Sequence, residues 1–235
     1  MHVSTAKRTV AALAVAGASA GLIFAAGAPA SANSVGATTT TYQQSCLGKL
    51  TTFPYTEQAE VVTASLKADH LTLAAAPGDN TWKIQPGVAT TPPATTYFGY
   101  TFSGIEQVRV VYRYDPATFK AGSAAIVSGS GSTSAGSFTL SDTGSQLVLT
   151  GSGSIGTSTS YQVPAVSFTT KSPNLDVKLD TQGAAGTYGN FANNGFRFQS
   201  KATGPLGGTV SVPTSCIPAD SPTSALNAGA GQLHP

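Results

Sequence analysis

YFGYTFSGIEQVRVVYRY, residues 97–114, is the densest run of aromatic and β-branched residues in the chain. From Ile105 onward, Val108, Val110, Tyr112 and Tyr114 fall on one face of an extended backbone, and Arg109, Val111 and Arg113 on the other. A period of two marks a strand with one buried face. Upstream, Phe98, Tyr100 and Phe102 alternate with Gly99 and Thr101. Ser103-Gly104 separates the two runs, which predicts a pair of strands joined by a hairpin or a bulged turn. Asp115-Pro116 closes the second run, because proline has no amide hydrogen for a ladder. Six aromatics lie within these eighteen residues. Each can bury roughly 150–250 Å², so the stretch reads as core rather than as an exposed aromatic platform.

Working outward, the same pattern recurs in shorter pieces. Strands are expected at 38–46, 59–66, 71–76, 82–85, 123–128, 138–140, 146–150, 161–170, 175–179, 196–199 and 209–212. Lys67-Ala68-Asp69-His70 divides the second from the third, and a short helix over 57–68 is the local alternative. Turn chemistry such as Pro77-Gly78-Asp79-Asn80 separates many of them. About ten to twelve short strands at this spacing predict an all-β, immunoglobulin-like antiparallel sandwich over residues 38–216. Two Gly/Ser-rich tips, 128–137 and 151–160, are expected to be flexible, since their backbone entropy opposes ordering unless they are packed. Residues 33–37 are expected to be loose, and the Pro/Ala/Gly-rich tail, 217–235, disordered.

The first 32 residues read as an export signal. Lys7-Arg8 precedes an apolar Ala/Val/Leu run that closes on Ala30-Ser31-Ala32. This small-x-small ending predicts cleavage after Ala32 and no membrane span afterwards. The full chain has 12 Lys/Arg and 10 Asp/Glu, and both Lys7 and Arg8 lie in the leader. The remaining chain is therefore balanced in charge, which argues against nucleic acid or an anionic membrane surface as partner. The two cysteines, Cys46 and Cys216, nearly bracket the remaining chain. An even count in an exported protein predicts a disulfide between them.

Reactive constellations are scarce. His70 follows Asp69, a base–orienter pair only on paper. Glu106 and Asp115 are the acids nearest the aromatic stretch, yet no pair stands out as a glycosidase couple. No His/Cys/Asp/Glu spacing suits a metal, and neither catalytic residues nor a cofactor is assigned. The segment 79–97 is better equipped for binding. It carries the only tryptophan, and Pro86, Pro92 and Pro93 lower its ordering cost. A ligand surface is therefore expected around Trp82, Lys83 and Tyr97, against the alternative that Trp82 is core.

Four short segments carry a family likeness. They are Thr41-Tyr42 to Cys46 after the leader, Tyr100-Thr101-Phe102-Ser103-Gly104, Val163-Pro164-Ala165-Val166, and the late Val212-Pro213-Thr214-Ser215-Cys216. In these the chain resembles secreted all-β, immunoglobulin-like sandwich proteins of unknown function from high-GC Gram-positive bacteria. The resemblance implies export and a sandwich fold, and it supplies neither an activity nor site residues. The expectation is an exported, non-catalytic domain with an extracellular or cell-envelope ligand. A hydrolytic β protein working through a carboxylate pair is the alternative.

Overall fold

A computed structural model describes residues 33–49, 57–73, 78–97, 99–173, 175–180 and 194–218. The expected leader, its cleavage point after Ala32 and residues 219–235 of the expected tail lie outside the described residues, whereas Ile217 and Pro218, also expected to be disordered, are paired in the last strand with Ser45 and Gln44. Fifteen strands and one 3-10 turn, Thr133–Ala135, are present among those described. The strands are β1 Asn33–Lys49, β2 Glu57–Leu73, β3 Asn80–Pro86, β4 Ala89–Thr90, β5 Thr96–Tyr97, β6 Tyr100–Tyr114, β7 Ala125–Ile126 and β8 Phe138–Asp142. They continue as β9 Gln146–Gly151, β10 Ser154–Ile155, β11 Ser160–Tyr161, β12 Val166–Thr170, β13 Val177–Leu179, β14 Phe196–Thr203 and β15 Thr209–Pro218. The all-β, antiparallel class read from the sequence is the class observed, with longer and more numerous strands than expected.

The main sheet runs β7-β12-β3-β2-β1-β15-β14-β6-β9-β8, with β5, β10 and β13 also paired to β6. A two-stranded ribbon, β4 with β11, stands apart. Layering comes from the curl of the long sheet. Trp82, Ile84, Val166 and Phe168 from one end share a single buried cluster with Tyr112, Tyr114, Leu147 and Leu149 from the other. Phe119 joins the layers, stacked on Tyr114 at 3.9 Å and facing Phe168 at 5.7 Å between ring centres.

The alternation in 105–114 is realised as read, since Val108, Val110, Tyr112 and Tyr114 are all buried. The expected pair of strands is instead one strand. The chain passes through Ser103-Gly104 without reversing, and the register against β14 shifts opposite this point and again near Gln107. Gly104 has φ 139° and Gln107 φ 54°, the backbone of bulges rather than of a hairpin. Gly104 is required for two reasons. Its φ disfavours any side chain, and a Cβ would run into the backbone carbonyl of Ile155 on β10. Gly104→Ala should therefore destabilise the fold by about 1–3 kcal/mol. A urea titration with an unchanged midpoint would show that the bulge relaxes freely.

Three further expectations are corrected. Lys67-Ala68-Asp69-His70 does not interrupt β2, because its polar groups are partnered within the sheet. Asp69 meets Lys83 at 2.7 Å and Lys67 at 3.4 Å, while His70 stacks on Trp82 at 3.7 Å. Residues 33–37 are not loose but belong to β1, pairing Asn33 with Leu73 and Ala37 with Asp69 across two register shifts. Backbone pairing needs no large side chain, so this small-residue segment gave no signal.

The Gly/Ser tips are packed. A Cβ on Gly136 would lie 2.5 Å from the Gly153 Cα, so absent side chains let the two tips touch. Their serines complete the joint. Ser130 and Ser132 accept the amides of Ala165 and Gln162, each at 2.9 Å, and the Ser137 and Ser152 hydroxyls pair at 2.7 Å.

Cys46 and Cys216 are register partners on β1 and β15 and are bonded across a sequence separation of 170. The predicted staple is thus present, and it joins the first strand to the last.

Candidate functional site

Register builds a single concave wall. On β1, Tyr42, Gln44 and Cys46 project to one face. β2 sets Ala64 opposite Tyr42 and Val62 opposite Gln44. On the other side Cys216 pairs with Cys46, Phe196 with Cys216, and Phe198 with Thr214. Val110 on β6 then pairs with Phe196, and Phe102 with Ala202. Antiparallel partners share a face, so five strands, β2, β1, β15, β14 and β6, present one surface of mostly apolar side chains.

Segment 86–97 and the β4–β11 ribbon cover part of this surface. The Gly87 amide donates to the Ser65 carbonyl at 2.8 Å, which anchors the cover to β2. Thr91 ties it to the second Gly/Ser tip, donating to the Gly156 carbonyl at 2.6 Å and accepting the Thr159 amide at 2.9 Å. Between cover and wall lies a groove of about 600 Å³. That volume falls within the roughly 300–1,000 Å³ of small-molecule sites.

No Asp, Glu, Lys, Arg or His is among the described residues lining the groove. At its mouth Val88 is 67% exposed, Tyr97 56% and Val62 38%. Large apolar side chains gathered in solvent mark a contact surface rather than random surface chemistry. Inside, polarity is sparse. The Ser200 and Thr214 hydroxyls pair with each other at 2.9 Å. The Gln44 amide and the Tyr161 hydroxyl, by contrast, have no hydrogen-bond partner among the described residues.

The residues expected to form a ligand surface are placed in three different environments. Trp82 is 0% exposed and donates its indole N–H to Thr170 Oγ1 at 2.9 Å. Lys83, its neighbour in β3, points to the opposite face and pairs with Asp69. Tyr97 alone borders the groove. Sequence reasoning missed Gln44, Tyr161, Phe196 and Phe198 as lining residues. The available signal was Gln44 itself, a polar residue on the otherwise buried face of Tyr42 and Cys46.

The acids are engaged elsewhere. Glu106 lies 3.5 Å from Lys201. Asp115 accepts the Ala117 amide at 2.9 Å in a local turn. Asp180 is buried and paired with Arg113 and Gln146, each at 2.7 Å. His70 lies 3.3 Å from Asn80 Oδ1, on the face of β2 opposite to the Asp69 carboxylate. Among the described residues no cluster of three or more His, Cys, Asp or Glu is arranged to hold a metal.

Burial also leaves a pH signature. It pushes the Tyr161 hydroxyl up to about 12. Tyr114 rises to about 12, first through burial and then through its hydrogen bond to Asp142. Tyr112 is pushed up further still, through burial and then through Tyr42. These groups keep their protons when folded, whereas the unfolded chain releases them near 10. Folded values above unfolded ones mean that stability is full below about pH 10 and falls as pH rises beyond it. In an alkaline titration, part of the tyrosinate absorbance should appear only together with loss of the β-sheet circular dichroism. Ionisation of all eight tyrosines near pH 10 with the sheet intact would contradict this.

Among the described residues, no helix is long and apolar enough to cross a membrane. No protein-family model, curated protein or solved structure matches the chain, so the reading of the groove rests on its own geometry.

Proposed function

We propose that the chain is an exported, non-catalytic β domain that works at or near the cell envelope by holding a small apolar ligand in this groove. One observation carries the reading: about 600 Å³ of space, walled by uncharged side chains and opening between exposed Val62, Val88 and Tyr97. Each methylene transferred into such a site contributes about 0.8 kcal/mol, enough for a short chain or fused ring to bind without ionic contacts. Export is supported by the leader ending in Ala30-Ser31-Ala32. The Cys46–Cys216 bond also suits an oxidising compartment.

Nile red, an uncharged apolar dye, tests the groove. The purified protein should give a saturable, blue-shifted emission. Ala64→Trp and Ala202→Trp, which place an indole inside the groove, should abolish the signal while thermal melting is retained. Absence of dye uptake by the unaltered protein would sink the binding role. Export is tested separately by N-terminal sequencing of protein recovered outside the cytoplasm, with Asn33 expected as the first residue.

A further inference from the structure

We infer that the ligand is an uncharged amphiphile, an alkyl or acyl chain bearing a hydroxyl, ester or amide, whose polar group is met by the Gln44 amide and the Tyr161 hydroxyl. This deepens the proposed function and rests on the groove being a ligand site.

Gln44 is 6% exposed and lies between Tyr42 and Cys46 on the inner face of β1. A carboxamide offers two donors and two lone pairs, and here none has a partner among the described residues. An amide in an apolar wall is satisfied by water in the groove or by a ligand that replaces that water. Tyr161 supplies a second such group from the ribbon that covers the groove. Water can satisfy both groups while the groove is empty. A ligand that displaces this water keeps them paired only if it brings a hydroxyl or carbonyl of its own.

The same wall sets the charge. Since the described lining has no cation or anion, a carboxylate or ammonium drawn inside would be desolvated without a counter-ion. Alkanes satisfy the apolar wall and leave both polar groups unpaired. Neutral molecules carrying a hydroxyl or carbonyl suit the uncharged wall and can pair with these polar side chains.

Dodecanol, dodecane, dodecanoate and dodecyltrimethylammonium, each displacing bound Nile red, separate these cases. Dodecanol should be the strongest competitor, and the two ions at least about a hundredfold weaker. Gln44→Leu should weaken dodecanol about tenfold and strengthen dodecane, which no longer leaves an amide unpaired. Tyr161→Phe should weaken dodecanol by a smaller factor, and Gln44→Lys should raise dodecanoate above its level in the unaltered protein. If dodecanoate competes as well as dodecanol, or if Gln44→Leu and Tyr161→Phe bind dodecanol undiminished, the inference is overturned while dye uptake still stands. Absence of dye uptake overturns the binding role together with the inference. Should Gln44→Leu fail to fold, the four-ligand ranking on the unaltered protein and the Tyr161→Phe variant decide the matter.

Discussion

Replacing Cys46 and Cys216 together by alanine should lower the stability of the folded chain by up to about 5 kcal/mol, and reduction of the native bond should do the same. The bond spans 170 residues of sequence, so its loss frees a very long loop in the unfolded state. The location adds to the effect. Among the described residues, β1–β15 is the ladder that joins β7-β12-β3-β2-β1 to β15-β14-β6-β9-β8 in the sheet order. That ladder pairs only Gln44 to Gly48 with Thr214 to Pro218, and the disulfide sits at its middle. Denaturant unfolding with and without reductant is the measurement. A midpoint that does not move would show that the joint holds through hydrogen bonds and packing alone.

Trp82→Ala should cost about 3–5 kcal/mol, more than any single contact around the groove. The indole is fully buried, stacks on His70 at 3.7 Å, and bonds Thr170 at 2.9 Å. Removing it leaves a cavity between β2, β3 and β12, and it uncovers one face of a buried imidazole. Thr170 still donates to the Ser172 carbonyl at 2.7 Å, so the hydroxyl is not orphaned and the loss is mainly one of packing. Trp82→Phe should therefore recover much of the stability. Calorimetry of the two variants checks this, and an alanine variant as stable as the parent would remove Trp82 from the core. A binding defect in Trp82→Ala would report unfolding, because the residue does not line the groove.

What could be read from the chain followed from side-chain period. Residues 105–114 announced a one-faced strand, and the alternation of Val108, Val110, Tyr112 and Tyr114 is the buried face observed. Cysteine count and position announced the staple. Ser103-Gly104 was ambiguous for a physical reason. A hairpin and a bulge both need a residue with positive φ, and only the position of β10 and β14 decides between them. The Gly/Ser tips misled because entropy was weighed without the close backbone approach that glycine permits. The groove was hidden for another reason. Its lining is scattered over residues 42–214, mainly on β1, β2, β6, β14 and β15, each contributing a few side chains that look like ordinary core. Which face of the curled sheet stays open depends on how segment 86–97 lies across it, and no local pattern encodes that.

The pairing of β1 with β15 has a consequence for the order of assembly. A chain made from its N-terminus cannot complete this sheet until residues 214–218 are available to pair with 44–48. Contacts of such long sequence separation form slowly and late. The groove inherits that timing, because β14 and β15 supply two of the five strands of its wall. A chain ending before residue 196 lacks β14 and β15, and with them Phe196, Phe198, Val212 and Thr214 of the groove lining. On the proposed reading, ligand capture requires a chain that extends through β15.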